Sequence, residues 1–149
     1  MDLDRARTFL LKLPHVVETQ QWGDNFVYWV GDKAIGGKMF ALIDFGSGVS
    51  KGVMSFSAGP ERFAELVERE GLYPAPYMAR IHWVAADNWG VLRNAEWEEL
   101  FAAAHAITHA KLPAKVKANL QLPAKALQKL VVEKRKLKAA KVAADLQKK

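Results

Sequence analysis

Cut after Ala110, the chain separates into two parts that cannot share one role. Residues 111–149 carry 12 Lys and Arg against 2 Asp and Glu, whereas residues 1–110 carry 10 against 14. A segment with a net charge of +10 is poorly suited to the interior of a fold, above all over its lysine-dense distal part, because burying unpaired ammonium groups costs more than the accompanying apolar contacts return. The core is therefore expected mainly from the first 110 or so residues, a part whose own net charge is −4. With half of all residues apolar, that length suits one main core and is too short for two large domains.

Within that part the hydrophobic period changes in a readable order. Leu3, Ala6, Phe9, Leu10 and Leu13 recur at helical spacing, with Asp2 or Asp4 placed to cap the start and Pro14 placed to end it. From Val16 the pattern becomes short β-rich runs, roughly Val16–Trp22, Phe26–Val30, Gly36–Phe45 and Val49–Phe56, divided by turn residues such as Gly46-Ser47-Gly48. These runs predict an antiparallel meander. Pro60 opens a short helix with Phe63, Leu66 and Val67 on its apolar side, and Gly71 closes it.

Tyr73-Pro74-Ala75-Pro76-Tyr77 reads as a rigid extended connector, since each proline fixes φ and restricts its predecessor. It leads to a predicted last strand over Arg80–Ala85, and then to a helix over about Asn94–Ala110. Trp97, Leu100, Phe101, Ala104 and Ile107 give that helix one apolar face, and Glu96, Glu98 and Glu99 suit its positive N-terminal end.

Beyond it, Leu112-Pro113-Ala114-Lys115 recurs as Leu122-Pro123-Ala124-Lys125. Each proline can open a helix, and Pro123 must interrupt one arriving from Pro113. The remaining residues are mostly good helix formers. Leu127, Leu130 and Val131 share a face that lysines invade further on, so the tail is expected to dock by its first turns and stand in solvent after them. The predicted organisation is an α+β domain over residues 1–114, an antiparallel sheet packed against helices, followed by a Lys/Ala-rich helical extension over 115–149.

Several short motifs, in this order, resemble the MmcQ/YjbR family of small bacterial proteins. They are Leu13-Pro14, Trp22-Gly23, Gly37-Lys38-Met39-Phe40-Ala41, Tyr73-Pro74-Ala75-Pro76-Tyr77, His82-Trp83-Val84 and Lys111-Leu112-Pro113. The similarity runs from about residue 3 to 115 and implies a CyaY-like α+β fold and a DNA-binding role. Family members often carry Ser-Tyr where this chain has Ala104-His105, and the basic extension is additional to the family domain.

The residues that bear on function are mainly cations. Lys115, Lys117, Lys125, Lys129, Lys134, Arg135, Lys136, Lys138 and Lys141 are spread along the extension with few acids among them. Such a segment suits a polyanion, because neutralising phosphates releases condensed counterions. A solubilising tail and a membrane-surface helix are the other readings of the same charge run. In the body, Lys38, Arg80 and His82 fall on predicted strands near Tyr77, Trp83 and Trp89, a pairing of cation and aromatic found on nucleic-acid surfaces. Core filling is the plainer role for most of the five tryptophans.

His105, His109 and Glu98 could be drawn as a metal site by helical spacing, but the histidines read better as boundary residues, and no metal or cofactor is expected. No nucleophile elbow, phosphate-binding glycine loop or dinucleotide fingerprint occurs. The chain also lacks cysteine and any apolar run long enough to span a bilayer, which favours a cytoplasmic location. The sequence therefore points to a non-catalytic nucleic-acid-binding protein, with duplex DNA as partner and the extension supplying most of the affinity. The alternative is a protein- or small-ligand-binding module whose tail serves solubility or assembly, docking a partner through Leu127, Leu130, Val131 and Leu137.

Overall fold

The computed structural model describes residues 1–46 and 53–148. The expected Gly46-Ser47-Gly48 turn and the first residues of the Val49–Phe56 run fall largely outside them. Helix α1 spans Leu3–Lys12, and its cap is Asp2, whose carboxylate accepts from the Arg5 amide at 2.8 Å. Strands β1 (Val16–Gln21), β2 (Asn25–Val30), β3 (Lys38–Asp44) and β4 (Met54–Ser57) follow in the expected meander. Trp22 and Gly23 both take positive φ to reverse the chain between β1 and β2. α2 (Pro60–Leu66) begins at its proline, and Gly71 turns the chain with a φ of +85°.

Two expectations change here. The segment expected to be a rigid extended connector is extended but begins as an edge strand of the sheet, β5 (Leu72–Pro74); Pro74 is tolerated there because one side of an edge strand needs no donor. The expected Arg80–Ala85 strand is shorter and starts later, as β6 (Trp83–Ala86). Residues Ala79–Ile81 form a 3-10 turn, and His82 caps it in the left-handed region at φ +61°. The chain needs that turn because β6 reverses direction to pair antiparallel with β5 while also pairing with β4.

The resulting six-stranded sheet has the order β1-β2-β3-β4-β6-β5 with every pairing antiparallel. Tyr28 pairs with Ala41 but Trp29 with Met39, so Phe40 is the extra residue of a bulge. Phe40 and Ala41 are consequently both buried.

α3 (Asn94–Lys111) fills the main core from one face of the sheet. Trp97 sits edge-on to Phe56 and against Phe101, and its ring nitrogen donates to the Trp89 carbonyl at 3.0 Å. Truncating such a side chain costs about 3–5 kcal/mol. The opposite face carries a smaller cluster of Ala75, Trp83 and Ala85, with Met39, Leu42, Tyr73 and Met78 around it.

α4 (Ala114–Leu120) and α5 (Ala124–Gln147) begin immediately after Pro113 and Pro123. Val116 and Leu120 belong to the main core, and Leu127, Leu130 and Val131 pack on its margin. From Val132 onward every described residue of α5 is exposed. Lysines interrupt each potential apolar stripe on this stretch, leaving no face to bury.

Candidate nucleic-acid interface

Strand register decides which charges share an end of the sheet. Val16 pairs with Val30, Val30 with Lys38, and Ser57 with Trp83. Residues 14–16, 30–38, 57–58 and 80–83 therefore lie at one end. Gln21 pairs with Asn25, Asn25 with Asp44, and Ala86 with both Met54 and Leu72, which defines the other end.

The first end carries Lys33, Lys38 and Arg80, all exposed. α3 finishes there with Lys111, since the His105 Nε2 lies 2.7 Å from the Pro14 carbonyl oxygen. α5 crosses the same end: the Arg135 guanidinium donates to Asp32, and the Lys138 ammonium donates to the Lys33 carbonyl at 3.1 Å. Asp32 is buried and also caps the short turn after it, accepting from the Ala34 amide at 2.8 Å.

The opposite end holds Asp24, Asp44, Glu70 and Asp87, together with the acidic start of α3. There Glu96, Glu98 and Glu99 bind Arg69, Arg5 and Arg62 at 2.8, 3.1 and 2.8 Å. The side-chain hydrogen bond from Arg69 and the backbone one from Arg93 bring the Glu96 carboxyl down to about 2. The body is thus acidic in sum but polarised along its strands.

The cations named from sequence fall into three settings. Lys38 stands at the mouth of β3, while Arg80 and His82 occupy the turn before β6 rather than a strand. His82 is half-buried with its ring edge toward Phe63, at 5.5 Å between centroids, so it is the least available of the three. Lys117 donates to the Ala110 carbonyl at 2.8 Å. Lys115, Lys125, Lys129, Lys134, Lys136 and Lys141 are exposed, and among the described residues none forms an ion pair. Of the neighbouring aromatics, Tyr77 is fully exposed, Trp89 is half-buried and Trp83 is buried.

Lys33 and Asp32 escaped notice in the sequence. The only sign there was an Asp-Lys pair set between glycines, and its meaning depends on which strand ends it joins. Lys33 also places its ammonium 5.7 Å from the Trp29 ring centre.

One other charged cluster serves the scaffold. Arg7 grips Glu18 with two hydrogen bonds of 3.0 and 2.8 Å, and the Tyr28 hydroxyl donates to the same carboxylate at 2.6 Å. The Arg7 hydrogen bond holds the Glu18 carboxyl below its ordinary range, while burial, then Glu18, pushes the Tyr28 phenol up. This clasp fixes α1 to β1 and β2.

His105, expected at the rim of its helix, is buried edge-on to Phe40, and burial moves its pKa down. Glu98 is taken by Arg5, and among the described residues no three His, Cys, Asp or Glu side chains converge to hold a metal. Nor is any helix there long and apolar enough to cross a membrane.

These elements define an α+β protein in which one antiparallel sheet is backed by helices and a basic helix is fastened at one end. The YjbR family model matches residues 11–107, and the chain belongs to that family. The match ends before α4 and α5. The crystal structure of Deinococcus radiodurans protein DR2400, a DUF419 domain, superposes with a TM-score of 0.68 at 25% identity, covering 80% of this chain and 88% of that one. No curated protein matches the chain significantly.

Proposed function

We propose that this protein is a non-catalytic DNA-binding protein whose affinity comes mainly from α5, with the cationic end of the sheet adding contacts. The observation that carries this reading is the set of exposed lysines spread around α5, Lys125, Lys129, Lys134, Lys136 and Lys141, without an acidic partner among the described residues. Their hydration and counterions can be exchanged for phosphate contacts with no internal ion pair to break. Arg135 and Lys138 contribute differently, because they fasten the helix to the body beside Lys33 and Lys38. A phosphate backbone lying along α5 would meet Lys33, Lys38 and Arg80 next. α5 does not segregate its apolar residues onto one side, which disfavours a helix lying in a membrane surface.

The test compares duplex DNA binding by the full chain and by a chain ending at Gln121, across a salt series. That end point keeps Val116 and Leu120, which the core requires. The expected result is steeply salt-dependent binding by the full chain and a large loss in the shorter one. Equal affinity in both, or no binding at low salt, would reject the role given to α5.

A further inference from the structure

Outside the charged surface, one cavity combines apolar walls with a partly unused cation. It is an open groove where α5 passes over the end of β1 and β2, has a volume of about 330 Å³, and is walled by Ile35, Leu120, Leu127 and Val131, with Asp32 and Arg135 as its charged lining. Packed interiors leave few gaps larger than a water molecule. This space is within the size range of small-ligand sites, which are apolar with a few placed polar groups.

Arg135 gives the site its chemical sense. Its guanidinium presents five N–H donors in a fork, of which Asp32 engages one, and its side chain is 61% exposed. It also lines a second cavity beside Trp29 and Lys33, so it stands between the apolar groove and a further ammonium. Asp32 lies in the same lining and offsets part of the Arg135 charge, so an incoming carboxylate shares the guanidinium with it, using donors that Asp32 leaves free, while Lys33 adds a further cation nearby.

We infer that this groove binds a small amphipathic carboxylate, with its hydrocarbon part among Leu120, Leu127, Val131 and Ile35 and its carboxylate on the free donors of Arg135. A second copy of the chain is a poorer occupant: the α5 surface around the mouth carries unpaired lysines, and two such surfaces repel each other. The inference does not depend on DNA binding, since the groove walls are apolar and lie between the helix and the sheet.

The experiment follows side-chain methyl signals of the full chain by NMR while octanoate is added, with 1-octanol and inorganic phosphate as comparisons. Octanoate is expected to shift Leu120, Leu127 and Val131 saturably, octanol more weakly, and phosphate not at all at those methyls. Arg135→Lys, which keeps a cation beside the buried Asp32 and removes the free donors of the guanidinium fork, should weaken octanoate on the order of fivefold and leave octanol unchanged. Val132→Trp, at 43% exposure beside the mouth, should weaken both by filling the groove. The inference fails if octanoate gives no saturable shifts up to about 10 mM. It also fails if R135K weakens octanol and octanoate alike, or if raising the protein concentration alone reproduces the shifts.

Discussion

Gly37 shows how tightly the turn before β3 is built. A Cβ at this position would meet the Gly31 carbonyl oxygen at 1.9 Å and the Asp32 oxygen at 2.8 Å, both backbone atoms that cannot swing aside. Gly37→Ala is therefore expected to destabilise the protein by about 3 kcal/mol or more, measured by urea denaturation, and to loosen Asp32 from Arg135. Carboxylates make a second prediction at this scale. Glu18 and Glu96 both titrate below the ordinary carboxylate value when folded, held there chiefly by hydrogen bonds from Arg7 and Arg69. A lowered folded pKa adds stability that is complete above the unfolded value of about 4.3 and is lost as pH falls through the folded value. Melting temperatures should thus drop from about pH 4.5 toward about pH 2. Glu18→Gln should cost about 1–3 kcal/mol at neutral pH and flatten that acid limb; an unchanged limb would show that the clasp is not coupled to folding. Some of these roles were legible in the sequence: Asp2 stands where a cap must stand. The partners of Arg7 and Asp32 were not, because each is fixed by which strand ends meet in space. His105 was misplaced at the helix rim for a similar reason, since its burial depends on Phe40 and the Pro14 carbonyl.

Among the elements, α5 is the one whose local preference and surroundings disagree. It runs for 24 residues, about 36 Å at roughly 1.5 Å per residue, yet its apolar packing ends with its first two turns and, among the described residues, only Arg135 and Lys138 tie it to the body beyond them. Its outer part is held by helix propensity and not by a core. Ala139→Pro should disrupt the helix beyond Arg135 while leaving the melting temperature of the body unchanged; circular dichroism would record the lost helicity. Replacing Lys125, Lys129, Lys134, Lys136 and Lys141 with Gln should leave stability within about 0.5 kcal/mol, since all five are exposed. On the proposed function it should also reduce the log–log salt slope of DNA binding by about 4 to 5. A slope that does not move would place the phosphate contacts elsewhere. The outline of this element was readable because Pro113 and Pro123 mark its boundaries and Leu127, Leu130 and Val131 mark its docked turns. α3 was readable from its apolar stripe. β5 and β6 were not, because three- and four-residue strands contain too few alternations to set a period, and Pro74 looked like a breaker until its edge position was known.

Over the whole molecule, the antiparallel register sorts charge that the sequence interleaves. Lys33, Lys38, Arg80 and the start of α5 gather at one end of the strands, while Asp24, Glu70, Asp87 and the start of α3 gather at the other. A summed charge of −4 for residues 1–110 by itself disfavours a phosphate-facing surface on the body. The sum is correct, but it averages over two ends of opposite sign. A polarised particle of this kind meets a polyanion with its cationic end first, and the acidic end repels the same partner. On the proposed function, amide shifts caused by a short duplex should cluster at residues 31–38, 79–82 and α5, and should be absent at residues 21–25 and 86–88. Lys33→Gln with Lys38→Gln and Arg80→Gln should weaken binding beyond the loss of three average charges, because it removes the contacts that orient α5 on the duplex. Asp24→Asn with Asp87→Asn changes net charge in the opposite direction at the far end, and should strengthen binding only slightly at low salt and not at all above about 0.15 M, where screening acts over about 8 Å. Should the two sets of variants change affinity simply in proportion to net charge, the polarity would have no part in binding and α5 would act as a detached basic tail.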